Sequence, residues 1–192
     1  MTAPKTVLVL RTCNADGTSR NGFVWPESGP VVCPDWKPTA ACGNGLHGAL
    51  WGEGDGTLLS WDADARWLVV KVHAADVIEL AGKVKFPAGT VVHSGDRVSA
   101  TAYVAAHGGA GRAIIGGTAT AGDYGTATAG YKGTATAGYS GTATAGDRGA
   151  IQIKWYDGDR YRITTGYIGE DGLLPNTAYR CDRAGKLVAV KP

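Results

Sequence analysis

The sequence predicts a mainly β protein in which a short parallel β-solenoid lies between an N-terminal α+β or β domain and a C-terminal β-hairpin cap. Three observations lead to this fold class. One octapeptide occurs four times in succession, segments of alternating or continuous apolar residues precede it, and two hairpin patterns follow it. The predicted boundaries are 1–94 for the N-terminal domain, 95–149 for the solenoid, with the exact repeats at 117–149, and 150–192 for the cap.

The repeats read GTATAGDY, GTATAGYK, GTATAGYS and GTATAGDR. A fixed period indicates one structural unit stacked on itself. Thr-Ala-Thr-Ala alternates polar and apolar residues as a half-buried strand does, and the glycines with their neighbours are typical of turns. Two units would form a sixteen-residue coil with alanines inside and threonines outside. The outward threonines are expected at Thr118, Thr120, Thr126, Thr128, Thr134, Thr136, Thr142 and Thr144.

The flanking segments predict β structure on both sides of the repeats. Residues 5–11 and 66–72 are apolar enough for buried strands, and one helix is expected near 46–52. Residues 95–116 resemble a degraded repeat, with Ser99-Ala100-Thr101-Ala102 echoing the Thr-Ala-Thr-Ala core, and are interpreted as the first coil. After the repeats, Asp157-Gly158 and Ala184-Gly185 mark two hairpin turns.

Composition limits the classes of function. The net charge is only +2, and 44% of the residues are hydrophobic, which favours neither a disordered chain nor a nucleic-acid-binding surface. No stretch reaches the roughly 20 apolar residues of a membrane helix, and the N-terminus lacks the pattern of a signal peptide. We therefore expect a soluble cytoplasmic protein, in the host cell if it is phage-encoded, with neither membrane nor nucleic acid as partner.

The four cysteines show no recognised metal-site spacing. Cys13, Cys33, Cys42 and His47 could gather around zinc, but no close Cys-x-x-Cys pair is present. No phosphate loop or catalytic triad stands out either. The sequence thus predicts no metal, no cofactor and no enzymatic activity.

Two resemblances follow from these motifs. The units Ala129-Gly130-Tyr131 and Ala137-Gly138-Tyr139, each preceded by Thr-Ala-Thr, are similar to the octapeptides of bacterial ice-nucleation proteins, although Asp123 and Asp147 interrupt a tyrosine ladder. The wider layout, with Gly45-Leu46-His47, short Gly/Ala/Thr repeats and a Gly-Tyr-Ile-Gly-Glu tail, resembles a group of uncharacterised bacterial and phage proteins. That second resemblance implies a phage or prophage setting and no particular chemistry.

Three functions remain open. The main hypothesis is a non-enzymatic interaction or oligomerisation protein, whose partner is a second copy or a host protein. The second is ice binding through the Thr-Ala-Thr ladders. The third is a small-ligand (nucleotide) binder or ADP-ribosyltransferase-like enzyme in the N-terminal domain, with Arg11, His47 and Ser60 as candidate ligand-binding residues. For His47, the sequence favours a packed structural histidine over a ligand or general base.

Overall fold

The computed structural model describes residues 5–19 and 22–190. It divides into two compact units, Met1–Ala110 and Gly111–Pro192. Strands dominate both units, so the prediction of a mainly β protein is confirmed. No helix in the described ranges is long and apolar enough to span a bilayer.

The N-terminal unit is built on one seven-stranded sheet. Its order is β2-β7-β4-β1-β3-β6-β5, and its paired strands are antiparallel. The central strand β1 is apolar on both faces, as expected of a strand with neighbours on either side. The strands are β1 (Thr6–Cys13), β2 (Gly29–Val32), β3 (Leu46–Leu50), β4 (Arg66–His73), β5 (Ile78–Leu80), β6 (Lys83–Phe86) and β7 (Ala88–Gly95).

This sheet must curl strongly, because β6 and β7 are joined by Pro87 alone and yet are four strand spacings apart in the sheet order. In a flat sheet those strands would lie roughly 19 Å apart, at about 4.8 Å per spacing. Two residue steps reach only about 7 Å. The Pro87 carbonyl accepts a hydrogen bond from Cys33 N (2.7 Å), which extends the pairing of β2 with β7 past the bend.

The prediction of a helix near 46–52 is wrong, because Leu46–Leu50 is strand β3. It pairs with β1 on one side and β6 on the other. Gly48 allows the close approach of β1, since an added Cβ would lie 2.5 Å from Val9 Cγ1. Trp51 and Gly52 then take positive φ angles of 54° and 77°, which turn the chain.

The only α-helix of the described ranges, α1 (Arg97–Val104), occupies the first part of segment 95–116, where the sequence predicted the first coil. The end of that segment does pair with the repeats, since Gly130 N donates to Ile114 O (3.0 Å). Asp96 is its N-cap, and its carboxylate accepts a hydrogen bond from Ser99 N at 2.7 Å. Ser99-Ala100-Thr101-Ala102 is therefore helical rather than extended. Thr101 Oγ1 donates to the Arg97 carbonyl (2.9 Å), which satisfies this buried hydroxyl inside the helix.

The C-terminal unit contains two four-stranded sheets, of order β13-β12-β10-β8 and β15-β14-β11-β9. The repeats contribute parallel pairs with an offset of sixteen residues, Thr118 with Thr134 in one sheet and Thr126 with Thr142 in the other. The strands are β8 (Thr118–Ala121), β9 (Thr126–Thr128), β10 (Thr134–Ala137), β11 (Thr142–Thr144), β12 (Ala150–Tyr156), β13 (Tyr161–Tyr167), β14 (Ala178–Cys181) and β15 (Leu187–Ala189).

Two antiparallel hairpins complete these sheets. Strand β12 pairs in parallel with β10 and then forms a hairpin with β13 across the predicted Asp157-Gly158 turn. Strand β14 pairs with β11 and forms the second hairpin with β15, whose turn includes Gly185. The core between the sheets combines repeat alanines with larger residues from the hairpin region, namely Ile151, Ile153, Ile168, Leu173 and Tyr179.

Candidate functional site

The threonines of the repeats all lie on the outer side of their strands. Burial alternates along every repeat strand from β9 to β11, with alanines buried and threonines partly or fully exposed. In β8 the threonines are exposed and the alanines half-buried. Each sheet therefore carries a two-by-two array, which we call the first array (Thr118, Thr120, Thr134 and Thr136) and the second array (Thr126, Thr128, Thr142 and Thr144).

The spacing of these arrays follows from strand geometry. Threonines two residues apart on one strand are about 6.7 Å apart, and paired strands are about 4.8 Å apart. The first array continues onto β12, where Gln152 is paired with Thr136 and accepts a hydrogen bond from its Oγ1 at 3.2 Å. The second array ends beside the antiparallel strand β14.

Tight turns hold the strands in register. In each repeat the glycine at position six accepts a hydrogen bond from the glycine that opens the next repeat, for example Gly141 N to Gly138 O (3.0 Å). The eighth residue of every repeat has a positive φ angle between 52° and 60°. These residues are Tyr124, Lys132, Ser140 and Arg148.

The structure brings together two of the three residues proposed as a ligand site in the N-terminal unit. Arg11 Nη1 donates to the His47 carbonyl at 3.3 Å, and both residues line one cavity of about 500 Å³. Ser60 does not line this cavity. Its backbone nitrogen donates to Thr12 Oγ1 (2.7 Å) and its hydroxyl to Asp62 (2.9 Å), so Ser60 is bonded to the neighbour of Arg11 on β1 without lining the cavity.

Several cavity residues were not anticipated from the sequence. The Trp25 ring lies under the Arg11 guanidinium, and its centroid is 3.7 Å from Arg11 Cζ. Asp35 accepts hydrogen bonds from Asn44 Nδ2 (2.7 Å) and Cys33 Sγ (3.1 Å). The hydrogen-bond partners of Asp35 are only two and nine residues away, whereas the contact of Trp25 with Arg11 joins separate segments of the chain. The glycine-rich turn around Asn44 was the only signal of this wall in the sequence.

The two predicted cavity residues, Arg11 and His47, differ in their charge at neutral pH. Burial lowers the pKa of Arg11 to about 10, which leaves it cationic at neutral pH. Burial, followed by the charges of Lys83, Lys85 and Arg11, lowers the pKa of His47 to about 4, so its imidazole is neutral at pH 7. The cavity therefore carries one guanidinium and one neutral imidazole side by side.

A histidine–serine pair occurs elsewhere in the same unit. His93 Nε2 lies 3.0 Å from Ser99 Oγ, which is the distance expected of a base and a nucleophile. The Ser99 hydroxyl also donates to the Asp96 carbonyl (3.1 Å), and His93 stacks on Tyr103 with ring centroids 5.3 Å apart. These contacts give the pair a structural role at the start of α1.

The proposed gathering of Cys13, Cys33, Cys42 and His47 around a metal is not formed. Within residues 5–19 and 22–190, no cluster of three or more His, Cys, Asp or Glu side chains could hold a metal ion.

The N-terminal unit thus defines a curled antiparallel β domain with a cavity that Arg11 and His47 line, and the C-terminal unit contains two sheets to which the repeats contribute parallel strands. Residues 7–106 match a family model described as Domain of unknown function (DUF7666). Because the match covers 100 of the 192 residues, the chain belongs to this family. No solved structure matches the chain.

Curated relatives point to a second relationship. The chain is 46% identical over 103 residues to an ice nucleation protein of Xanthomonas campestris pv. translucens, and 50% identical over 100 residues to one of Pseudomonas fluorescens. It is 44% identical over 103 residues to ice nucleation protein InaU of Pantoea ananas. These matches cover 51–53% of this chain but only 7–10% of the relatives. The predicted resemblance to ice-nucleation proteins is confirmed, and it extends well beyond the 33 residues of exact repeat.

Proposed function

We propose that residues 111–190 form a short, capped β-solenoid that binds ice or ordered water through its threonine arrays, without enzymatic activity. The observation that carries this proposal is the outward placement of all eight repeat threonines in two regular arrays over an alanine core. The similarity to ice nucleation proteins supports ice binding better than the main hypothesis drawn from the sequence.

The chemistry of such an array suits water. Each threonine presents a hydroxyl that can donate and accept, beside a methyl group that repels disordered solvent. Regular spacing along and across strands places these groups on a grid set by the backbone rather than by flexible side chains. Four threonines per sheet form a small surface, so we expect ice binding and crystal shaping rather than efficient nucleation of freezing.

Thermal hysteresis and ice-crystal shape measured on the full chain test this proposal. Tyrosine is well tolerated in β-strands and is large enough to cover the array. Replacing Thr120 and Thr136 by tyrosine blocks the first array, and replacing Thr126 and Thr142 by tyrosine blocks the second. Substitutions in the array that binds ice should abolish thermal hysteresis and crystal shaping. The same substitutions in the other array should leave both unchanged and serve as the matched control. Absence of hysteresis and of crystal shaping in the wild-type protein would contradict ice binding.

Self-association through the repeats stays a second proposal, in line with the main hypothesis from the sequence. Strands β8 and β9 are the terminal strands of their sheets within the described part of the chain. Terminal strands offer unpaired backbone groups that can recruit another copy. Light scattering coupled to size exclusion measures this, and a monomer at all concentrations would count against it. A phage or prophage origin and a cytoplasmic location also remain proposals.

A further inference from the structure

The cavity of the N-terminal unit contains a cation with unused hydrogen-bonding capacity. The Arg11 guanidinium has five N–H donors. Two bonds are formed with backbone carbonyls, from Nη1 to His47 (3.3 Å) and from Nη2 to Thr12 (2.9 Å). Among residues 5–19 and 22–190, Arg11 Nε is shielded from water and has no acceptor. None of the ion pairs found in those ranges involves Arg11.

A second polar atom of the same cavity is in the same condition. His47 Nε2 is shielded from water and has no partner in the described ranges. Buried polar groups are normally satisfied, because leaving them unpaired costs free energy. Arg11 and His47 are in contact and line one cavity, so their two unpaired atoms indicate a ligand rather than two independent unsatisfied groups.

The charge around the cavity selects an anion. Lys83 lines it, with Nζ 3.1 Å from Cys42 Sγ. Lys85 is fully buried and donates to the carbonyls of Ala41 (2.9 Å) and Gly43 (3.2 Å), which fixes the glycine-rich segment that forms one wall. Asp35 is the opposing charge.

Asp35 adds a second requirement on the ligand. Its carboxylate accepts hydrogen bonds from Asn44 and Cys33 and, among the described residues, forms no ion pair with Arg11. A carboxylate at the cavity wall accepts hydrogen bonds from hydroxyl or amino groups. A volume of about 500 Å³ lies within the range of small-molecule sites.

We propose that this cavity binds a small molecule with an oxyanion, a phosphate or carboxylate group, that is held by Arg11. The neutral His47 donates a hydrogen bond to the Gly45 carbonyl through its other ring nitrogen, so Nε2 accepts a hydrogen bond from a hydroxyl or amino group of the same molecule. The planar guanidinium, fixed against Trp25, matches the two oxygens of such a group. Because Nε and Nε2 are shielded from water, neighbouring side chains must shift as the ligand enters. Ser60 has no part in this site.

The test is a thermal-shift titration of the full chain at matched ionic strength, with inorganic phosphate, adenosine monophosphate and citrate as separate probes. A ligand that binds only the folded state raises the melting temperature, and concentrations up to about 10 mM reveal dissociation constants of about 1 mM or tighter. Stabilisation by phosphate or the nucleotide assigns a phosphate ligand, and stabilisation by citrate alone assigns a carboxylate. No stabilisation by any of the three overturns the proposal.

Variants separate binding from general charge effects. Arg11→Gln should weaken binding at least about tenfold, since it removes a charge-assisted pair. Lys71→Gln removes an exposed positive charge from β4 and should leave binding unchanged. If Arg11→Gln does not fold by circular dichroism, Arg11→Lys and His47→Gln take its place, each expected to weaken binding. Equal binding by the wild type and the folded cavity variants would also overturn the proposal.

Discussion

The glycine at position six of each repeat offers a direct test of how the repeats stack. Gly138 lies against the preceding coil, where an added Cβ would come within 2.5 Å of Gly122 C and closer still to Asp123 N. Gly122 occupies the same repeat position sixteen residues earlier, and an added Cβ there would meet no atom of the described residues within 4 Å. The two glycines share a repeat position, and backbone packs closely only against Gly138.

The expected effect of Gly138→Ala follows from the clash. Two of the three obstructing atoms are backbone, and the third is Asp123 Oδ1. No rotamer change relieves the overlap with the backbone, and forced overpacking of this kind costs about 1–3 kcal/mol. For a unit of this size, each kcal/mol lowers the melting temperature by about 4–8 °C. We expect Gly138→Ala to lower the transition of the C-terminal unit by roughly 10 °C.

Gly122→Ala is the matched control. Its φ angle is not in the left-handed region, and the substitution reduces the entropy of the unfolded chain, which stabilises by about 0.4–1 kcal/mol. Scanning calorimetry of the full chain measures both variants. Equal melting temperatures for the two variants would refute the sixteen-residue stacking and, with it, the regular threonine arrays.

Three further predictions concern the cores and the cavity. Ala143→Leu should destabilise by about 1–3 kcal/mol because Ala143 is fully buried between the sheets, whereas Thr142→Leu, on the outer side, should stay within about 0.5 kcal/mol in urea denaturation. Lys85→Met should cost about 2 kcal/mol, since it leaves two loop carbonyls without their donor; Lys71→Met, at an exposed site, should cost little. The lowered pKa of His47 means that the unfolded chain binds the proton more readily, so the free energy of unfolding should fall as the pH drops from about 6.5 towards 4. His47→Gln should reduce this pH-dependent loss of unfolding free energy by about 1–2 kcal/mol, after allowance for the partial exposure of the side chain. An unchanged dependence of the unfolding free energy on pH would contradict the lowered pKa of His47.

The repeat region could be predicted closely because its information is local and repeated. The alternation of threonine and alanine set which side of each strand is buried, and the fixed period set the sixteen-residue offset of the paired strands. The hairpin at Asp157-Gly158 carried its own turn signal as well.

The segment 95–116 was misinterpreted for a physical reason. Ser-Ala-Thr-Ala is compatible with either helix or strand, and its similarity to the repeats favoured the strand. The decisive signal was Asp96, an N-cap residue immediately before the segment, whose carboxylate binds the Ser99 amide. The strand at Leu46–Leu50 was missed because its stability comes from pairing with β1 and β6, which no local pattern reveals.

The cavity shows the same division between local and long-range information. Arg11 and His47 were proposed from the sequence, and the pairing of β1 with β3 places them together. Trp25, Asp35 and Lys83 come from loops and a strand distant in sequence. Their convergence depends on the curl of the sheet.

The repeat alanines and the segments after the repeats contribute different amounts of buried apolar surface to the C-terminal unit. Alanine buries little apolar surface, so the repeats alone gain little from the hydrophobic effect. The larger buried side chains, Ile151, Ile153, Leu173 and Tyr179, come from outside the exact repeats. The outward threonines make no contribution to that core, and only Thr136 forms a hydrogen bond with a neighbouring side chain among those described. The segments after the repeats therefore supply the larger apolar side chains of this core, and the outer threonine surface is left available for the interaction with water that we propose.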